Sequence, residues 1–123
     1  MALRNLGPGE RGFTYVPTLT EGLNVADSSV LDEWKVQVVD GVVSVFGKLS
    51  VDPTAASLTV IDFSLPFLVN LTGGNQIAGL ALSAVGSFGS VVANTSENRA
   101  QLGFVAQGTA AETLDVMFSY VAG

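Results

Sequence analysis

Histidine and cysteine are both missing from this chain. Without histidine, the commonest general base and the usual Ser-His-Asp arrangements are excluded. Without cysteine there is no disulfide framework, no thiolate nucleophile and no soft metal ligand. Positive charge is scarce as well: five Lys and Arg stand against eleven Asp and Glu, a formal charge of −6. Charged residues of either sign reach only 13%, against a usual share of about 25%. The few cations are unevenly placed. In residues 1–12, Arg4 and Arg11 face a single acid, Glu10, giving +1. In the rest, Lys35, Lys48 and Arg99 face ten acids, giving −7. An acidic body attracts neither a phosphate backbone nor an anionic membrane surface, so no nucleic acid and no membrane are expected as partners. The opening "MALRNLGPGERG" has no apolar h-region, so no signal peptide is predicted. Between Asp62 and Glu97 the chain is uncharged, but Pro66, Asn70, Gly73, Gly74, Asn75 and Gln76 interrupt it. A spanning helix wants about 20 consecutive apolar residues, and buried strands of small residues fit the stretch better.

What is present is apolar and β-branched. The 123 residues suffice for one domain with its own core, and 48% apolar content excludes general disorder. The low charge also points to surface covered by a partner, with copies of the same chain the expected one. Gly7, Pro8, Gly9 and Gly12 mark residues 1–12 as an extended or flexible N-terminal arm, and residues 13–123 as the body.

In the body, strand follows turn follows strand. Phe13–Thr20 is aromatic and β-branched, with Pro17 arguing for an edge position or a bulge. Glu33–Asp40 and Val42–Val51 form a hairpin around Asp40-Gly41, a pair suited to positive φ at both turn positions. Val43, Val45, Leu49 and Val51 share one face of the second strand, and Ser44, Lys48 and Ser50 the other. Phe46 breaks the pattern by standing on the polar face. Further strands are predicted at Leu58–Leu65, Ile77–Ala84, Ser87–Thr95, Ala100–Gln107 and Glu112–Val121, the last with the cleanest alternation. About eight short strands at regular spacing predict an all-β fold, a two-sheet antiparallel sandwich of jelly-roll type.

The available chemistry is carboxylates and hydroxyls. Paired acids hydrolyse glycosidic bonds when they flank a cleft, and Asp27, Asp32, Glu33, Asp62, Glu112 and Asp115 are the acids to consider. Alternation turns Asp62 outward on its strand, and the others fall in loops or at strand ends, where solvated charge is ordinary. Asp27–Glu33, "DSSVLDE", offers oxygens of the kind that bind Ca²⁺, but it lacks the spacing and glycine of an EF-hand and reads as a solvated loop. Gly86–Gly89 lacks the lysine of a phosphate-binding loop. No catalytic residue, metal or cofactor is expected. Trp34, Phe46, Phe88 and Tyr120 are the candidate aromatics for stacking on a sugar; in a small β-body most such rings are core. Phe46 is the best placed for an exposed contact with a ligand or another subunit.

The stretches "FTYVPTLT", "GVVSVFGKLSVDPTAA", "FSLP", "NRAQLGFVAQ" and "FSYV", spread over Phe13–Val121, resemble a small β-domain of tailed-phage virion proteins. Similar domains commonly open on Trp-Thr-Pro-Thr where this chain has Tyr15-Val16-Pro17-Thr18. The resemblance carries no catalytic signature. It implies a non-enzymatic component of the virion, made in the host cytoplasm and built on homotrimers. With only a 12-residue arm before the body, it implies a capsid decoration (cement) protein. Such a protein seats on the major capsid protein, with Arg4 and Arg11 ordering on an acidic surface. The alternative it implies is a fibre knob that binds a host glycan or receptor, with Phe46 exposed to it.

Overall fold

The computed structural model describes residues 11–122. They form nine strands: β1 Arg11–Tyr15, β2 Leu19–Glu21, β3 Val25–Val39, β4 Val42–Pro53, β5 Leu58–Phe63, β6 Ala78–Ser83, β7 Phe88–Asn94, β8 Arg99–Val105 and β9 Glu112–Val121. The described residues contain no α-helix; a 3₁₀ turn at Gly74–Gln76 is their only helical element. The strand count exceeds the predicted one because Val16–Thr18 split the first predicted strand in two. Proline has no N–H to give a ladder, and at Pro17 the chain leaves one edge of the sheet for the other.

Every neighbouring pair is antiparallel, and the order is β1-β3-β4-β9-β6-β7-β8-β5-β2. The two separately hydrogen-bonded sheets expected from the sequence are therefore replaced by one continuous ladder. Alternation reports that each strand buries one face; it is blind to whether the ladder between strands is interrupted. The order itself forces a curl. β1 and β2 are the two outer strands, yet only Val16–Thr18 separate them in sequence. Such a link spans roughly 14 Å at most, so the edges of a nine-stranded sheet are drawn together. Contacts across the seam agree. The Tyr15 hydroxyl of β1 donates to the Ser64 carbonyl, just past β5, at 3.2 Å. Phe13 and Phe67 meet edge to face at 5.4 Å.

The curl encloses one core. Trp34 of β3 lies 5.2 Å from Phe63 of β5, although these strands are second and eighth in the order. Phe63 continues to Phe118, and Phe118 to Tyr120. Trp34 is fully buried, and its indole N–H donates to the Lys48 carbonyl at 3.0 Å. Inward positions of β4 read Val43, Val45, Gly47, Leu49 and Val51, and the glycine is where the indole rests: a Cβ there would lie 2.0 Å from the ring. The expected hairpin is present, with Asp40 at φ 51° and Gly41 at φ 79°. It is longer than expected, because β3 begins at Val25 and takes in Asp27–Glu33, the segment predicted as a loop. Val30 and Leu31 pair with Leu49 and Lys48, and the acids fall at register shifts, where they turn to solvent. The ladder also takes in Arg11 and Gly12, opposite Val38 and Gln37. The rest of the predicted arm, Arg4 included, lies outside the described residues.

Candidate functional site

The outward side of a curled sheet is ordinarily polar, since one face of each strand is already in the core. Here a band of it is apolar. Phe46 on β4 stands opposite Met117 on β9, and Met117 opposite Leu80 on β6. One step along the strands, Leu82 on β6 stands opposite Phe88 on β7, and Val105 on β8 opposite Leu58 on β5. All seven side chains are exposed, Phe88 at 63% and Phe46 at 47%. No charged residue occurs in β6 or β7. At one end the band meets Lys48, paired with Asp115 at 3.6 Å. Both groups of that pair are solvated, so it contributes little stability. Within the band lies a shallow hollow of about 530 Å³. It is lined by the small residues Ser44, Ala78, Gly79 and Ser119 and the larger Phe46, Leu80, Met117 and Phe118.

Phe46 is thus exposed, as its place on the polar face of β4 predicts. It does not stand in a platform with the other three aromatics singled out. Trp34 and Tyr120 are buried, and only Phe88 shares the outer side with it. The neighbours that make Phe46 part of a band, Met117 and Leu80, come from strands far away in sequence. The available signal was apolar residues at outward parity on several strands, but the strand order was needed to join them. Arg11 begins β1; its side chain and all of Arg4 lie outside what the structure describes.

Two of the carboxylates considered above, Asp62 and Glu112, are held by hydrogen bonds away from the band. Asp62 faces outward as predicted, yet is only 8% exposed. Asn94 Nδ2 donates to its Oδ2 at 2.7 Å, and Gln101 Nε2 donates to its Oδ1 at 3.1 Å. Glu112 departs from expectation. It was placed at a solvated strand end, but it points inward and is 4% exposed, because the parity that buries Leu114 and Val116 buries it too. Its Oε2 accepts from Gln107 N–H at 3.0 Å, while Oε1 has no hydrogen-bond partner. A buried carboxylate with an unpaired oxygen is destabilising. Among the described residues no group of three or more Asp or Glu is placed to hold a metal ion. None of their helices is long and apolar enough to cross a membrane.

Two phenols tie the seam. The Tyr120 hydroxyl donates to the Phe67 carbonyl at 2.9 Å and accepts from Phe67 N–H at 3.0 Å. Burial pushes its pKa up to about 12, a rise partly offset by the Phe67 hydrogen bond. Burial, and secondarily the nearby Tyr120, pushes Tyr15 up further. An unfolded tyrosine ionises near pH 10, so both raised values stabilise the folded state fully below that pH. The contribution is lost as pH rises from 10 through the folded values. Urea midpoints are expected to hold up to about pH 10 and then fall steeply toward pH 12, with a shallower fall in Tyr120→Phe.

Searches against protein-family models, curated proteins and solved structures each returned no match.

Proposed function

We propose that this chain is a non-enzymatic structural protein of a bacteriophage virion, a decoration protein that sits on the head as trimers and stabilises it. In that reading the two halves of the curl are the layers of a jelly roll, and the acidic body lies against the major capsid protein. The observation that carries the reading is the uncharged apolar band centred on Phe46, Met117 and Leu80. A β-body with an apolar band on its outer side is suited to contact. The strand-and-turn pattern from "FTYVPTLT" to "FSYV", with its likeness to tailed-phage virion domains, names the setting.

The test is location and occupancy. Antibody against the chain, applied to intact particles, is expected to label heads, and purified chain is expected to coat bare heads. Removing residues 1–10, which leaves β1 whole, is expected to lower that occupancy through loss of Arg4. Labelling of no particle would overturn the reading. The exposed rings of Phe46 and Phe88 favour a second one, a knob that binds a host glycan or receptor by stacking. Label confined to tail or fibre tips, with adsorption of the isolated chain to host cells, selects it over the first.

A further inference from the structure

The apolar band carries both a protrusion and a recess. Phe88 is its most exposed side chain, and the hollow beside Phe46, Leu80 and Met117 is lined in part by small residues. The two are offset on one surface. Leu82 pairs with Phe88; along β6 the hollow runs from Leu80, two residues from Leu82, to Ala78, four residues away, so it lies ~7 to ~13 Å from the protrusion. A ring and a recess separated in this way cannot satisfy each other within one molecule. On two molecules they can.

Charge argues that the second molecule is another copy. From Arg11 onward the chain has ten acids and four cations. Two such bodies repel across most of their surfaces, because like charges brought together raise the free energy. The carboxylate beside the band is Asp115, opposite Leu82 and paired with Lys48, so copies can touch there with little carboxylate set against carboxylate. A basic partner would be drawn to the acidic remainder instead.

We propose that copies of this chain associate head to tail through the band, Phe88 of one seating in the hollow of the next. A contact between two different patches is heterologous and closes into a ring when the rotation permits. The inference rests on the trimer reading above and adds the face and the pairing.

The absence of cysteine supplies the test. Ala78→Cys/Phe88→Cys places one thiol in the hollow and one on the protrusion, at exposed positions where substitution is mild. The two are too far apart for a disulfide within one chain, which needs Cα atoms within ~7 Å. Under mild oxidation the double variant is expected to form covalent trimers, and each single variant none. Phe88→Asp is expected to lower the mass in solution from three chains to one. A wild-type trimer whose double variant stays uncrosslinked would overturn this interface and leave the trimer reading standing. Dimers in either single variant would overturn the head-to-tail pairing. A wild-type chain that sediments as a monomer at its highest soluble concentration would overturn both.

Discussion

Gly47→Ala is expected to cost about 3 kcal/mol or more, at or above the upper end of ordinary overpacking, and to leave little folded protein. The reason is local. Between Leu31 and Lys35 the β3–β4 register shifts, and Asp32–Trp34 of β3 face Gly47 of β4. The added Cβ would lie 2.0 Å from Trp34 Cδ2 and 2.2 Å from Cγ. The indole cannot retreat easily. Its N–H is held by the Lys48 carbonyl, and Tyr15 and Phe63 meet it edge on. Gly103→Ala is the matched control, because a Cβ there meets nothing within 4 Å; its expected effect is small. In a Trp34→Leu background, already destabilised by several kcal/mol, the added cost of Gly47→Ala is expected to shrink. Urea unfolding of the four combinations reads the coupling. An equal cost of Gly47→Ala in both backgrounds would show that the indole is not what the glycine accommodates.

The second large effect is expected at Asp62. Asn94→Ala/Gln101→Ala removes both amide donors from a nearly buried carboxylate. Hydrogen bonds to a charged group contribute about 1.5–3 kcal/mol each. The pair is expected to fall short of their full sum, because water reaches the outer side of the sheet once both amides are gone. A loss of about 3 kcal/mol is the expected result. In an Asp62→Ala background the same two substitutions are expected to cost about 1 kcal/mol, since no charge remains to be left unpaired and what is lost is the exposed hydrogen bonding of Asn94 Oδ1, which accepts from the Ser96 N–H and hydroxyl. A loss as large in that background as in wild type would assign the effect to packing.

These two cases mark how far the chain could be read directly. Strand positions were legible because β-branched residues alternate: β9 was read to the residue, and the Asp40-Gly41 turn was found with its positive φ angles. The curl was not legible. It follows from β1 and β2 occupying opposite edges across a short link, and no local pattern carries that information. Asp27–Glu33 was misread because its acids and serines resemble a loop, while its pairing is supplied by the apolar strand beside it. Gly47 looked like a gap in an alternating run; only the fold shows that Trp34 fills it.

The candidate site divides along the same line. Phe46 announced itself by breaking parity within its own strand. Met117 stands at outward parity on β9 as Phe46 does on β4, but that it joins Leu80 and Phe88 in one band follows only from register between distant strands. Likewise, the donors that hold Asp62 lie 32 and 39 residues away. Glu112 was misplaced because a charge at a strand end is ordinarily solvated, and inward parity prevailed over that tendency.

Sedimentation equilibrium of the wild-type chain over a range of salt tests the central claim most directly. If acidic copies meet on an uncharged apolar band, salt screens their repulsion and leaves the contact intact. The predicted result is a mass of three chains whose association tightens as salt is raised. A complex that comes apart with added salt would mean that ionic contacts hold it, and a single-chain mass throughout would mean that the band is not a meeting place for copies of this protein.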